Sequence, residues 1–149
     1  MQTNDRQRRF RIYAANVSSL CSAVAVALGK SQVVLTVSFV GARAMRALNR
    51  NYRGRDHTTD VLSFAYADEV VDGMTFLGEI VICPNIAWEQ ARRWGATPQR
   101  EVRRLLIHGI LHLLGHDHET DDGEMRLLER RILRRRFAAE AGPLLQLKR

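Results

Sequence analysis

Only two cysteines occur in the 149 residues. Cys21 and Cys83 stand far apart and in no C-x-x-C arrangement, which excludes a disulfide framework or a thiolate metal site as the organising feature; both are expected to be buried, reduced thiols. No apolar run approaches the roughly 20 residues that a membrane-spanning helix requires. The longest stretch, Ala23 to Leu28, is far shorter, so no membrane association is expected. The segment MQTNDRQRRFRIY is basic without a following apolar region, so it is not read as a secretory signal, and a cytoplasmic protein is expected. Internal repeats, low-complexity tracts and linkers are lacking as well. The expectation is therefore one domain over residues 1–149, long enough to bury a core without disulfides or an obligatory partner.

Lysine is scarce. Of 23 basic residues against 16 acidic ones, giving a formal charge of +7, nearly all are arginine. The planar guanidinium fork suits phosphate, so a polyanion is one natural partner. An arginine-rich composition inherited from a GC-rich genome accounts for the same excess equally well.

What the chain does have is a local concentration of histidine. Four of its five histidines, His108, His112, His116 and His118, fall within LLIHGILHLLGHDHE, Leu105 to Glu119. An apolar run is costly to decorate with imidazoles that have no partner. Thr97 and Pro98 read as the N-cap and first position of the helix that carries this run. Its apolar residues lie on more than one side, so the helix is expected to be buried nearly all round.

Around it the reading is an α/β fold. Phe10 to Ala14 is a short strand, a helix capped by Asn16 ends at Gly29, and β-branched residues mark a strand over Ser31 to Val40. A helix follows over Gly41 to Tyr52, then a polar turn and a strand over Thr59 to Tyr66. Asp72-Gly73 signals a hairpin into Thr75 to Ile82, which is expected to run antiparallel at the sheet edge. Pro84 opens a helix that stops at Gly95, and a last helix runs from Thr120 to Phe137. Arg126, Arg130 and Arg134 form one row on that helix, read as a solvated face partly paired with Glu124 and Glu129; the tail GPLLQLKR is expected to be loosely attached. The whole is a compact domain with a small mixed sheet of about four strands, an antiparallel edge strand and about five helices.

His108 and His112, four apart, rise from one helix face one turn apart, as two ligands of one ion require. Gly115 stands where the helix must stop, since a left-handed cap costs glycine least, and the turn returns His118 towards the first pair. Three neutral imidazoles with an open fourth position make a catalytic rather than a structural zinc site, although nickel or another imidazole-binding ion fits the same donors. His116 belongs to the turn and is read as a non-ligand. Asp117 is either a hydrogen-bond partner for a ligand imidazole or a solvated loop carboxylate. The spacing is that of metzincin proteases, the metal helix included, but their glutamate beside the first histidine is replaced by Gly109. Peptide hydrolysis by that route is therefore not expected, and no residue stands out as a general base.

Three segments, LNRNYRGRDHTTDVLSF from Leu48 to Phe64, LGEIVI from Leu77 to Ile82, and HGILHLLGHDHE from His108 to Glu119, carry a resemblance over nearly the whole chain to the YbeY family of bacterial endoribonucleases and rRNA maturation factors. The resemblance implies a compact α/β fold, zinc on His108, His112 and His118, and single-strand-directed cleavage of RNA in 16S rRNA maturation and ribosome quality control. It implies RNA, the ribosome or ribosomal proteins as partners, and no nucleotide cofactor. It also implies that Arg53 lines the cleft as a catalytic and substrate-binding residue, in keeping with an arginine that stabilises charge developing on a phosphodiester. Thr58 replaces a usual proline, which is expected to loosen its loop; His116 replaces a common tyrosine; Glu79 keeps a carboxylate where aspartate is frequent. The alternatives are a zinc hydrolase of peptide or amide substrates and a non-catalytic, ribosome-associated RNA-binding protein with structural zinc.

Overall fold

The computed structural model describes the backbone of residues 1–149 and every side chain except those at 67 and 68. Its elements run β1 (Gln2–Arg6), β2 (Phe10–Ile12), α1 (Ala14–Ala27), β3 (Val33–Val40), α2 (Ala42–Arg53), β4 (Val61–Val71), β5 (Met74–Ile82), α3 (Pro84–Arg93), α4 (Pro98–Leu113), α5 (Glu124–Leu133), α6 (Arg136–Ala139) and β6 (Leu145–Leu147).

A mixed sheet has the order β1-β3-β5-β4, with β1, β3 and β5 parallel and β4 antiparallel to β5. The hairpin at Asp72-Gly73 forms as expected, both residues taking positive φ, 50° and 75°, as a tight turn between twisted strands demands. The antiparallel edge strand, however, is β4 rather than β5. The reason lies in burial: β5 ends in Leu77, Ile80, Val81 and Ile82, all buried, and both of its edges are paired, whereas β4 carries the exposed Tyr66, Val70 and Val71.

Strand alternation sends β5 side chains to two different clusters. Ile80 and Ile82 join Leu105, Leu106, Ile107, Ile110 and Leu111 of α4 in the main core. Val81 joins Met45 of α2, Val40, Leu62 and Cys83 in a smaller cluster, with Leu48 packed against it. Helix α4 is buried nearly all round, as its apolar pattern indicates, and Thr97 caps it by accepting from the Arg100 amide at 3.2 Å. Gly109 packs directly against the sheet: a Cβ there would come within 2.8 Å of Ile80 Cγ2.

Both cysteines are free and buried. Burial pushes the Cys21 thiol up to about 12, which makes it an inert core group.

Four local expectations change. The residues Gln2 to Arg6 form a strand that their polar sequence conceals, because β3 offers them a parallel edge. Helix α1 starts at Ala14, two residues before Asn16, whose side chain instead donates to the Pro143 carbonyl at 2.7 Å. The final helix is broken into α5 and α6, and α5 begins only at Glu124 because Asp121 ties down the preceding turn, accepting from the Gly123 and Met125 amides at 2.8 Å each. The tail is docked rather than loose: Leu144 and Leu145 are buried, β6 pairs with β2, and the Gln99 side-chain oxygen accepts from the Leu144 amide at 2.8 Å.

Candidate metal centre and cleft

His108 and His112 project from the same face of α4, one turn apart, and α4 ends directly beyond them. Gly115 takes φ +90°, and its amide and that of His116 return to the His112 and Leu111 carbonyls, each at 3.0 Å. This closure reverses the chain. His118 is thereby brought back so that its Nδ1 stands 3.1 Å from His112 Nε2, which is itself 3.1 Å from His108 Nε2. One nitrogen from each ring lies within 4.8 Å of the others. Tetrahedral ligands about 2.0–2.1 Å from one zinc ion are about 3.3 Å apart, so this donor set fits such an ion.

The electrostatics favour lone pairs at the centre. Burial lowers the His112 pKa, and the neighbouring His108 and His118 lower it further, which keeps the ring neutral. His108 turns its other nitrogen outward, Nδ1–H donating to Glu129 Oε2 at 2.8 Å. Burial alone would raise the Glu129 carboxyl, yet the hydrogen bond from His108, together with the charge of Arg104, holds it below the usual carboxylate range. An ionised Glu129 accepts only, so the proton resides on His108 Nδ1 and the Nε2 lone pair faces the other imidazoles.

Glu129 is the residue that sequence reasoning misplaced, assigning it to surface arginines. A signal existed: Met125, Glu129 and Ile132 fall on one helical stripe, and both apolar members are buried. Arg104 was missed altogether. It lies 2.6 Å from Glu101, 3.6 Å from Glu129 and 3.9 Å from Asp60, which ties α4 to α5 and to the start of β4.

The histidines open into a cleft of about 640 Å³. Arg53, at the end of α2, lines it together with Tyr52, Arg55, residues 59–65 along β4, and Asp117. Arg53 is exposed and forms no ion pair among the described residues. The cleft wall is the free edge of β4, since among the described residues only β5 pairs with that strand.

The remaining residues singled out from the sequence do not join the centre. His116 is outside the group of three. Asp117 accepts from the Glu119 amide at 3.0 Å and so shapes its own turn; the role of orienting an imidazole falls to Glu129. Glu79 accepts from the Ser38 hydroxyl and, by alternation with Ile80, faces away from α4. Thr58 does not free its loop, which is held by Asn49 donating to the His57 carbonyl at 2.8 Å and by a two-pronged Arg46–Asp56 pair at 3.0 Å.

Residues 2–136 match the family described as Endoribonuclease YbeY. A protein of that description from Thermodesulfovibrio yellowstonii is 38% identical over 146 residues, covering 87% of this chain and 92% of that one. Another from Aquifex aeolicus is 43% identical over 110 residues, 72% of this chain and 73% of that one. The solution structure of TM1509 from Thermotoga maritima aligns with a TM-score of 0.62 at 31% identity, over 89% of this chain and 87% of that one.

Proposed function

The chain belongs to the endoribonuclease YbeY family, and from that premise we propose how its cleft performs the reaction. The protein is an endoribonuclease, a hydrolase acting on RNA phosphodiester bonds. In our reading residues 1–149 act as one domain, the substrate is single-stranded ribosomal RNA, and the work is 16S rRNA maturation and ribosome quality control in the cytoplasm, in contact with the ribosome. Among the described residues no helix is long and apolar enough to cross a membrane, and the reading requires no nucleotide cofactor.

The observation that carries this reading is the meeting of three imidazole nitrogens in a cleft that Arg53 also lines. His108, His112 and His118 would hold one zinc ion, which when bound lowers the pKa of a coordinated water towards about 7 and polarises a phosphoryl oxygen. The chain's own groups do the rest. Arg53 grips non-bridging phosphate oxygens through its fork and stabilises the charge that develops on them. The free backbone edge of β4 offers N–H and C=O groups to an extended strand. Glu129 holds the His108 proton on Nδ1, which keeps the Nε2 donor in place throughout. The attacking oxygen is that of a water or of the substrate's own 2′-hydroxyl, and the product ends distinguish them: a 2′,3′-cyclic phosphate rules out direct attack by water.

Peptide hydrolysis is not favoured. The position beside the first histidine, Gly109, abuts Ile80 of the sheet, so there is no room for a catalytic carboxylate. The test is metal analysis of the purified protein beside cleavage of a single-stranded RNA with and without chelator. Near-stoichiometric metal and chelator-sensitive cleavage are expected; a protein that cleaves RNA with no bound metal would sink the assignment of the three histidines.

A further inference from the structure

The cleft along β4 accounts for only one side of the histidine centre. On the other side lies a second groove of about 540 Å³ between α4 and α5, and His108 and His118 line both. The imidazoles therefore stand at a junction between two grooves. The second groove carries Arg100, Arg126 and Arg130 on its walls, and it continues into a further depression that shares Arg100 and Arg130 and adds Arg134.

These arginines are exposed, and among the described residues none of the four forms an ion pair. The carboxylate that the sequence pattern offers them, Glu129, is turned inward to His108 and Arg104, and Glu101 is taken up by Arg104. Both acidic walls of the groove are thus neutralised from within. Arg126, Arg130 and Arg134 recur every four residues of the chain, placing successive guanidinium groups about 6 Å apart along the helix. A solvated helix face would show the same spacing. What distinguishes this row is that it leads away from the same two histidines that close the β4 cleft, with its charge uncompensated.

We propose that the α4–α5 groove is a second binding track for the phosphate backbone of single-stranded RNA, so that the substrate strand crosses the histidine centre with one flank on the β4 edge and the other on Arg100, Arg126, Arg130 and Arg134. This rests on the endoribonuclease reading of the centre and extends it. The contacts are to phosphates, so the track adds affinity without sequence preference.

The test uses the metal-loaded full chain and a fluorescently labelled single-stranded RNA long enough to cross both grooves. Binding is followed by anisotropy over a range of salt, and cleavage is followed in parallel. The variant combines Arg126→Gln, Arg130→Gln and Arg134→Gln. A charge-matched control combines Arg8→Gln, Arg9→Gln and Arg11→Gln, three exposed positions that line neither groove. Loss of three phosphate contacts should lower the slope of log affinity against log salt by about 2, at about 0.7 per contact. KM should rise with kcat unchanged, while the control keeps the original slope. An unaltered slope in the groove variant, or an equal drop in the control, overturns the track. If the unaltered protein binds RNA with the track-dependent slope but does not cleave it, the track stands and the catalytic reading fails. If it does not bind RNA at all, both fail.

Discussion

His108 Nδ1 and Glu129 Oε2 lie 2.8 Å apart across 21 residues of sequence. This one hydrogen bond joins the helix that carries two of the three imidazoles to the helix behind it. It fixes the tautomer of His108, and Arg104 in turn fixes Glu129. The centre is therefore a network in which a half-buried carboxylate, the Arg104 guanidinium and three rings depend on one another.

Replacement of Glu129 by alanine should weaken metal binding by about 10- to 100-fold, the usual cost of removing a partner that orients a ligand imidazole. Glu129→Gln keeps an acceptor for the Nδ1 proton and should lose less. Competition against a chromophoric chelator reads both, and equal affinities for wild type and the alanine variant would show that the hydrogen bond does not prepare the site.

The same carboxylate makes metal-free stability depend on acid. Its folded pKa lies below the ordinary value of 4.5, so the unfolded chain takes up the proton first as pH falls. The stabilising contribution is complete above pH 4.5 and is lost as pH falls through the lower folded value. Urea midpoints of chelated protein should therefore drop more steeply below that pH in the wild type than in Glu129→Gln. Parallel curves would deny Glu129 this role.

Arg53→Ala should lower kcat/KM for RNA cleavage by about 10²–10³, in line with loss of one group that stabilises transition-state charge. Because the side chain is exposed and forms no ion pair among the described residues, stability should stay within about 0.5 kcal/mol. Lysine should restore only part of the rate, since a single ammonium cannot grip two oxygens as the fork does. Full activity of the alanine variant at wild-type KM would remove Arg53 from the reaction.

Gly109→Ala should destabilise the fold by about 1–3 kcal/mol through overpacking against Ile80, and combination with Ile80→Val should cost less than the sum of the two single changes. Gly109→Glu, which restores the protease-like residue, should fail to fold stably rather than gain peptidase activity. Thermal melts and a peptide cleavage assay check the three variants, and a stable, peptide-cleaving glutamate variant would contradict the steric account.

The parts of the centre that could be read from sequence are those set by local geometry. His108 and His112 share a face because a helix turns once in about 3.6 residues, and Gly115 followed by His118 needs only a left-handed turn to complete the group. The Asp72-Gly73 hairpin and the Thr97 cap are likewise local, and both form where the sequence indicates. The polar strand β1 was not legible, because nothing in QTNDR favours a strand until β3 presents an unpaired edge.

Spacing alone therefore determined which imidazoles could meet and where the helix carrying them had to stop. Tertiary structure decided what stands around them: β4 rather than β5 at the open edge, Glu129 behind His108, Gly109 against Ile80, and the C-terminal tail on β2. These outcomes rest on contacts between residues far apart in the chain. Such contacts follow from which surfaces are buried together when the elements pack, and that competition for burial leaves no mark in any short stretch of sequence.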